Sequence, residues 1–558
     1  MEQLSDLMAG FGAALTPMNM LWLLIGAVLG TAVGVLPGLG SAMAVALLLP
    51  VTFSLDPTGA LIMFAGVYYG GLFGDSIAGI LLNTPGNAAA IAGSFEGHRM
   101  ARHGRAAKAL AASALGAFSG GLIATTLVVF FSPYIVRLAA LFGPAEYFAL
   151  AFFAFIAISW VVAESFLKGI GSLAIGLFIA LVGIDSTSGT ARFTLGIPQL
   201  FDGISIIVVT VGLLALGEVF FIASRIHRDK RQIRILDSGR PWLRLSEFRQ
   251  ALPAWLRGTA IGVPFGAIPA GGAEVPTFLA YTTERKLAAR RNDPEFGSTG
   301  SIRGVAGPEA AGNATAGSAM GALLAIGLPT SATAAIMLAA FRQYGMQPGP
   351  LLFERSADIV WALLASLFLG LLVLLALNLP FAPLWAKLLR LPSSSLYAGI
   401  SVLAVLGVYS ISGSMFDLAV LLGLGVLGFL MRRFDMPLAP VLIGVILGPL
   451  AETEFRRSIS VGQGDAWFFV SSPLTIALYG LLVVGAIVIT ALSLRNRASA
   501  ARSLTDDARL AASGDPQEGK AVAEAVPAAP GSQVEDPREH PDAKDHSSSK
   551  KPSDTPGN

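Results

Sequence analysis

From about residue 20 to residue 494, apolar runs near the length that spans a bilayer recur with only short polar breaks between them. A membrane-crossing α-helix needs about 20 such residues. Ordinary runs fall near 108–131, 145–163, 166–184, 204–223, 357–378, 396–411, 414–431, 436–451 and 471–494, and a first one near 20–35. Backbone exposed to lipid must satisfy its own hydrogen bonds, which leaves helices or closed barrels. A barrel would alternate apolar and polar residues over segments of about ten, and Ala149 to Ala163 does not alternate. Charged residues make up 13% of the chain, against about 25% in soluble domains. The expected fold is therefore an all-α polytopic membrane protein.

Basic loops set its orientation, because Lys and Arg collect on the cytoplasmic side. They cluster at 94–108 (Arg99, Arg102, Arg105, Lys108), at 225–257, at Arg432/Arg433 and at Arg495/Arg497. Counting spans between these loops gives a consistent alternation, with 132–144, 185–203 and 341–356 facing outward. The N-terminal decapeptide carries Glu2 and Asp6 and no basic residue, unlike a cleaved signal peptide. Residues 496–558 are polar, lack Phe, Trp and Tyr, and read as a disordered cytoplasmic tail. A net charge of +2 gives no sign of nucleic-acid binding. The absence of cysteine excludes disulfides and thiol chemistry. The five histidines (His98, His103, His227, His540, His546) read as solvated loop or tail residues.

Two stretches, 34–93 and 262–340, fit no ordinary span. Both are dense in Gly and Pro, and they share a plan. Gly34-Val-Leu-Pro-Gly-Leu-Gly40-Ser41 is answered 232 residues on by Gly266-Ala-Ile-Pro-Ala-Gly-Gly272-Ala273. Leu81-Leu-Asn-Thr-Pro85-Gly-Asn-Ala is answered 244 residues on by Ala325-Ile-Gly-Leu-Pro329-Thr-Ser-Ala. Each copy reads as a re-entrant hairpin (about 35–53 and 260–281) followed by a broken span (about 58–93 and 305–340). The first copy leads into a basic loop and the second into a charge-poor one, so the copies are expected upside down relative to each other. Paired breaks in corresponding positions are a mark of transporters built from inverted repeats. The division is 1–240 and 241–495 for the two repeats with their flanking helices, then the tail.

A broken helix presents free N–H groups and about half a positive charge at its new N-terminus, which suits a carboxylate. Pro85, Gly86 and Asn87, and Pro329, Thr330 and Ser331, stand where such half-helices begin. Asn83, Thr84, Asn87, Thr330 and Ser331 supply side-chain partners, and Ser41 and Asn313 complete the candidate substrate-binding set. The alternative is a proline kink filled by neighbouring side chains. Asp75, Glu274 and Glu309 are acids at membrane depth, where a carboxylate costs at least about 2.5 kcal/mol and so marks a function or a partner. They are the candidates for binding a coupling ion, Na⁺ or H⁺; a helix cap is the alternative, for Glu274 above all. No Arg or Lys falls at either break, which points to helix dipoles and co-bound cations as the counter-charge. No phosphate loop or dinucleotide fingerprint is present, and no cofactor is expected.

Gly70-Gly-Leu-Phe-Gly-Asp-Ser-Ile-Ala-Gly-Ile-Leu-Leu-Asn-Thr-Pro-Gly86, continuing through Gly97-His-Arg-Met-Ala-Arg-His-Gly-Arg105, resembles a signature of the large subunit of tripartite tricarboxylate transporters. Gly266 to Pro276, Asp293-Pro-Glu-Phe-Gly297, Gly304 to Ala314 and Gly345-Met-Gln-Pro-Gly-Pro350 resemble another. The likeness covers about residues 10 to 495. It implies about twelve membrane helices, a small four-helix membrane subunit and a periplasmic substrate-binding protein as partners, and ion-driven uptake of citrate-like or other small organic acids. The sequence departs from the family pattern at Asn87, at Gly312-Asn313 and at Leu328-Pro-Thr-Ser331, where the site is placed, so the resemblance does not carry the substrate over. A stand-alone carboxylate transporter, a channel and an intramembrane enzyme are the competing classes; an enzyme would need facing catalytic pairs that these spans do not show.

Overall fold

Starts and stops of the helices follow local chemistry. Thr16 caps α2 (Pro17–Val35), accepting the N–H of Asn19, and Asp56 caps α4 (Pro57–Leu82), accepting those of Thr58 and Gly59, with a proline in each first turn. Gly327 ends α13 (Ile302–Ile326) in the left-handed region, at φ 81°. The computed structural model describes residues 2–487 apart from 37, 53, 163–164, 186, 226–241, 269–271, 390–391 and 486. The expected tail, residues 226–241 of loop 225–257, and residues 37 and 269–271 in the two hairpins lie outside the described residues. Residues up to Val483 form one unit.

The remaining helices are α1 (Glu2–Ala14), α3 (Ser41–Thr52), α5 (Ala88–Arg102), α6 (Ala106–Ala139), α7 (Pro144–Val161), α8 (Phe166–Ala180), α9 (Ile206–Thr210), α10 (Gly217–Ala223), α11 (Leu245–Ala267), α12 (Glu274–Arg290), α14 (Ala332–Gln343), α15 (Pro350–Arg355), α16 (Ala357–Leu388), α17 (Ser393–Ser412), α18 (Met415–Arg433), α19 (Leu438–Val461) and α20 (Pro473–Gly485). A π turn, Val211–Leu216, joins α9 to α10. Among the described residues nine helices are long and apolar enough to cross a membrane, and three shorter apolar ones accompany them. The protein is an all-α polytopic membrane protein.

Several boundaries differ from expectation. Helix α6 runs on through Pro133, and α16 through Pro380 and Pro383, where sequence suggested an end; a proline costs one bond of a long ladder, not the helix. Residues 2–14 are helical. The 183–203 loop, expected from the sequence to face outward, holds a two-residue antiparallel pair, β1 (Gly183–Ile184) with β2 (Ala191–Arg192). Ion pairs from Arg192 to Glu452 (2.7 Å) and Arg456 to Asp185 (3.2 Å) fasten it to α19.

Glycine stripes fix the centre. Gly26, Gly30 and Gly34 of α2 lie against the backbone of Met63, Val67 and Gly71 in α4, so a Cβ at any of them would strike a carbonyl oxygen. Gly258, Gly262 and Gly266 of α11 meet Gly307, Ala311 and Thr315 of α13 in the same way. These contacts correspond residue for residue at the two sequence offsets, 232 and 244. The small-residue spacing at Gly26–Gly30–Gly34 is thus a close helix crossing that the fold uses twice. Helices α4 and α13 lie almost wholly inside the protein. That is why α13, rich in Gly, Ala, Ser and Thr, forms a deeply placed helix without the apolarity of a lipid-facing span.

The segments Glu96–Arg105 and Asp293–Ser301 close one end of this core. The fully buried Glu96 carboxylate accepts the N–H groups of Gly297 (3.1 Å) and Ser301 (2.9 Å) and pairs with Arg99. Arg105 pairs with Glu295 at 3.0 Å and donates to the carbonyls of Thr299 and Gly300. His98 is a half-buried residue of α5, not a solvated loop residue; its Nδ1 lies 3.0 Å from the Ile80 carbonyl.

Candidate functional site

Both breaks have the same anatomy. α4 stops at Asn83, left-handed at φ 57°, and α13 stops at its counterpart Gly327. Four residues later Asn87 and Ser331 cap the next helices: Asn87 Oδ1 accepts the N–H of Ala89 (3.4 Å), and Ser331 Oγ that of Ala334 (3.2 Å). The chain stops and restarts within one short linker, so α5 and α14 each present a new N-terminus at the break.

Four such N-termini converge on one cavity of about 210 Å³. Gly40, Ser41 and Ala42 bring the start of α3; Gly86, Asn87 and Ala88 that of α5. Gly272, Ala273 and Glu274 bring the start of α12; Ser331, Ala332 and Thr333 that of α14. Tyr68 and Leu72 of α4, Ile158 of α7 and Ala439 of α19 complete the wall. Ser41 Oγ lies 3.1 Å from Thr333 Oγ1, joining the two copies across the cavity. The volume is below the roughly 300–1,000 Å³ of drug-sized pockets and suits a small molecule. At about half a charge each, four helix ends sum to about +2.

The set named from sequence divides here. Ser41, Gly86, Asn87 and Ser331 line the cavity, and so does Glu274, whose Oε2 is buried without a hydrogen-bond partner. Asn83 and Thr84 are exposed, and neither they nor Pro85, Pro329, Thr330 or Asn313 lines it. Tyr68 and Thr333 were not foreseen. Thr333 stands two residues past a cap already singled out, so the cap position itself was the signal for it.

The N–H groups of Gly86 and Asn87 are not free for a ligand in this arrangement. Both donate to Asp75 Oδ1, at 2.5 and 3.0 Å. A Cβ on Gly86 would stand 2.9 Å from that oxygen and 3.3 Å from the carbonyls of Leu36 and Leu39. Glycine there leaves room for the Asp75 carboxylate and the first hairpin.

Asp75 also borders a second, small cavity of about 20 Å³ with Ser76, Thr277, Glu309 and Asn313. Ser76 donates to Glu309 Oε2 at 2.7 Å, and Asn313 Nδ2 donates to the Glu309 carbonyl at 3.1 Å. Asn313 Oδ1, on a side chain 2% exposed, has no partner. The space exceeds the roughly 10–15 Å³ that one water occupies by this kind of measure, and its oxygen ligands suit a hard cation. Among the described residues no group of three or more acids or histidines gathers as a transition-metal site would.

Residues 20–443 match the family model of the tripartite tricarboxylate transporter TctA family. An uncharacterized 52.8 kDa protein from the TAR-I ttuC' 3' region of Agrobacterium vitis is 37% identical over 497 residues, 89% of this chain and 98% of that protein. A second uncharacterized protein, from the TAR-II ttuC' 3' region of the same organism, is 37% identical over 236 residues, 42% of this chain and 96% of that protein. No solved structure matches. Sequence signatures, helical membrane architecture and the family match agree, and the chain belongs to the tripartite tricarboxylate transporter TctA family.

Proposed function

We propose that this chain is the large membrane subunit of a carboxylate uptake system of the bacterial inner membrane, driven by an ion gradient and supplied by a periplasmic substrate-binding protein, with a small four-helix membrane subunit as its third part. Its two halves act as inverted repeats, loops 94–108 and 225–257 and the tail face the cytoplasm, and its role is transport rather than catalysis. The observation that carries the reading is the meeting of four helix N-termini, two from each copy, around one small cavity. That cavity holds the substrate carboxylates through helix-end N–H groups together with Ser41, Asn87, Ser331, Thr333 and Tyr68.

The coupling ion, Na⁺ or H⁺, binds beside it between Asp75 and Glu309, with Ser76 and Asn313 as neutral oxygen ligands. Asp75 links the two sites: the carboxylate that borders the small cavity also holds the N-terminus of α5. Occupancy of one site thus sets the geometry of the other. Glu274 adds a negative group to the substrate cavity, and it accepts a proton or a cation when a carboxylate enters.

The test is uptake of labelled citrate and succinate into proteoliposomes holding all three components, under imposed Na⁺ or proton gradients. Wild type should accumulate substrate only with a gradient and only with the binding protein. Ser331→Ala should raise the apparent KM about tenfold, the value of one lost bond to a charged ligand. Accumulation without the binding protein, or with no gradient, refutes the corresponding part of the reading.

A further inference from the structure

A larger cavity, of about 600 Å³, opens where the C-terminal ends of α6 and α14, the turn 344–349, α15 and the second half of α19 meet. Arg342, Arg355 and Arg457 line it, together with Glu354 and Glu454. Arg457 and Glu454 satisfy each other at 3.1 Å. Arg342 spends one N–H on the Ile446 carbonyl, at 2.7 Å. Neither Arg342 nor Arg355 has a carboxylate within ion-pair distance among the described residues. A guanidinium carries five donors in a planar fork that matches a carboxylate two bonds at a time. Two such groups without counter-ions, facing one concave space, form a receptor for a small anion.

Its position says which anion. The inner wall of the cavity is Ile326 and Gly327, the end of α13 at the second break, and Gly349 N–H donates to the Leu324 carbonyl (3.0 Å) to hold the turn against it. The other end of the same linker, Ser331, lines the central cavity. Only Leu328, Pro329 and Thr330 lie between along the chain, all buried, and Thr330 Oγ1 has no partner. Helix α14 spans the same interval: Ser331 caps it at the central cavity, and Arg342, about 17 Å further at 1.5 Å per residue, stands in the larger one.

We propose that the Arg342 cavity is a second carboxylate subsite, a vestibule in which the substrate docks before it passes the 328–330 linker into the central cavity. This rests on the reading of the chain as a carboxylate transporter. The anion exchanges guanidinium partners, which hold it at a wet entrance, for helix ends, which hold it at depth. Thr330 Oγ1 is the unsatisfied polar atom on the partition it must cross, and its hydroxyl is the donor or acceptor that the passing carboxylate meets.

The chain has no cysteine, so Gln347→Cys places a single thiol at an exposed position of this cavity. The protein is reconstituted with its small subunit in phosphatidylcholine vesicles, which supply no anionic headgroup, and the thiol is reacted with an impermeant maleimide. Citrate and succinate should slow the reaction, and inorganic phosphate at equal ionic strength should do so far less. With Arg342→Gln the concentration giving half-protection should rise at least about tenfold; Arg355→Gln, at an exposed side chain, should shift it in the same direction and guards against misfolding of the first variant. Ser331→Ala should leave protection in place while impairing uptake. No protection by a carboxylate that the same preparation takes up overturns the vestibule and leaves the transport reading intact. Protection unchanged in both arginine variants, or matched by phosphate, also overturns it. If the complete system takes up no carboxylate at all, the transport reading falls and the vestibule with it.

Discussion

Replacing Asp75 separates the two jobs its carboxylate holds. Two backbone N–H groups donate to one of its oxygens, at 2.5 and 3.0 Å. Bonds to a charged acceptor are worth about 1.5–3 kcal/mol each, so losing both would cost about 3–6 kcal/mol. Gly86 and Asn87 are only half-buried and line a cavity roomy enough for water, and water recovers part of that loss. A net loss of about 3 kcal/mol remains for Asp75→Ala, a factor of more than 100 in how well the α5 N-terminus is held in place. Asp75→Asn keeps an acceptor at the same atom, and neutral bonds of about 0.5–1.5 kcal/mol replace the charged ones. Substrate binding to the purified protein, measured across Na⁺ concentration and pH, reads both effects. The Ala variant should bind at least tenfold more weakly than the Asn variant. The Asn variant should keep appreciable affinity but lose its dependence on the ion. An Ala variant with wild-type affinity and wild-type ion dependence would falsify the argument, because neither the break nor the ion would then need this carboxylate.

Gly262→Val should block folding or insertion, since its side chain would strike the Ala311 carbonyl at the α11–α13 crossing; overpacking of this kind costs about 1–3 kcal/mol or more. Gly423→Val, at a position with open space around it, should leave expression and thermal stability unchanged. Asp185 is held down to a pKa of about 2 by the Ser188 hydroxyl first, then the Thr187 N–H and the Arg456 guanidinium. A carboxyl depressed on folding adds stability above its unfolded value of about 3.9, and that stability is lost as pH falls through about 2. Protection of the 183–203 loop amides, relative to their intrinsic exchange at each pH, should accordingly fall below about pH 4 in wild type, and Asp185→Asn should be less protected at neutral pH with no change in protection across that window. For the proposed topology, cysteine at Thr190 should react with an impermeant thiol reagent in intact cells and cysteine at His103 should not; equal labelling of the two would reverse or break the assigned orientation.

Much of the architecture was written in two internal echoes. The offset 244 aligns Asn83 with Gly327 and Asn87 with Ser331, and 232 and 244 together relate the paired glycine crossings. Local chemistry carried that information: a left-handed stop, a short linker, then an Asn or Ser cap. Helix ends at Pro133 and Pro380 were misplaced because proline in an apolar helix removes one bond while neighbouring turns persist. The site was legible in part. Cap residues could be named, but which oxygen takes which N–H could not. Asp75 lies eleven residues before Gly86, and only the fold of the break brings its carboxylate onto that N–H. Glu309 and Asn313 could be named, but their meeting with Ser76 and Asp75 needed the packing of α13 against α4, which no local pattern encodes. Signature segments Glu96–Arg105 and Asp293–Ser301 are an interlocking clasp at one end of the core, away from the cavity residues.

On the proposed reading, the division of labour between guanidinium groups and helix ends follows from what remains when the substrate leaves. An arginine stays charged at any working pH. Placed among the helix ends of the central cavity, it would be left as an unpaired, partly desolvated cation each time the site emptied, at a cost of several kcal/mol. Helix N-termini carry no formal charge, so the three whose N–H groups are not taken by Asp75 present about +1.5 to a bound carboxylate yet leave no cation behind. The same logic permits arginine in the Arg342 cavity, where the neighbouring Gln347, Glu354 and Arg355 are exposed and water can hydrate an empty guanidinium. Helix ends fall short of a citrate-like trianion, and Glu274 adds to the deficit. On this reading the missing positive charge arrives with the substrate. A site built this way binds tightly only when cations accompany the anion, which is the condition for a gradient of one to drive the other.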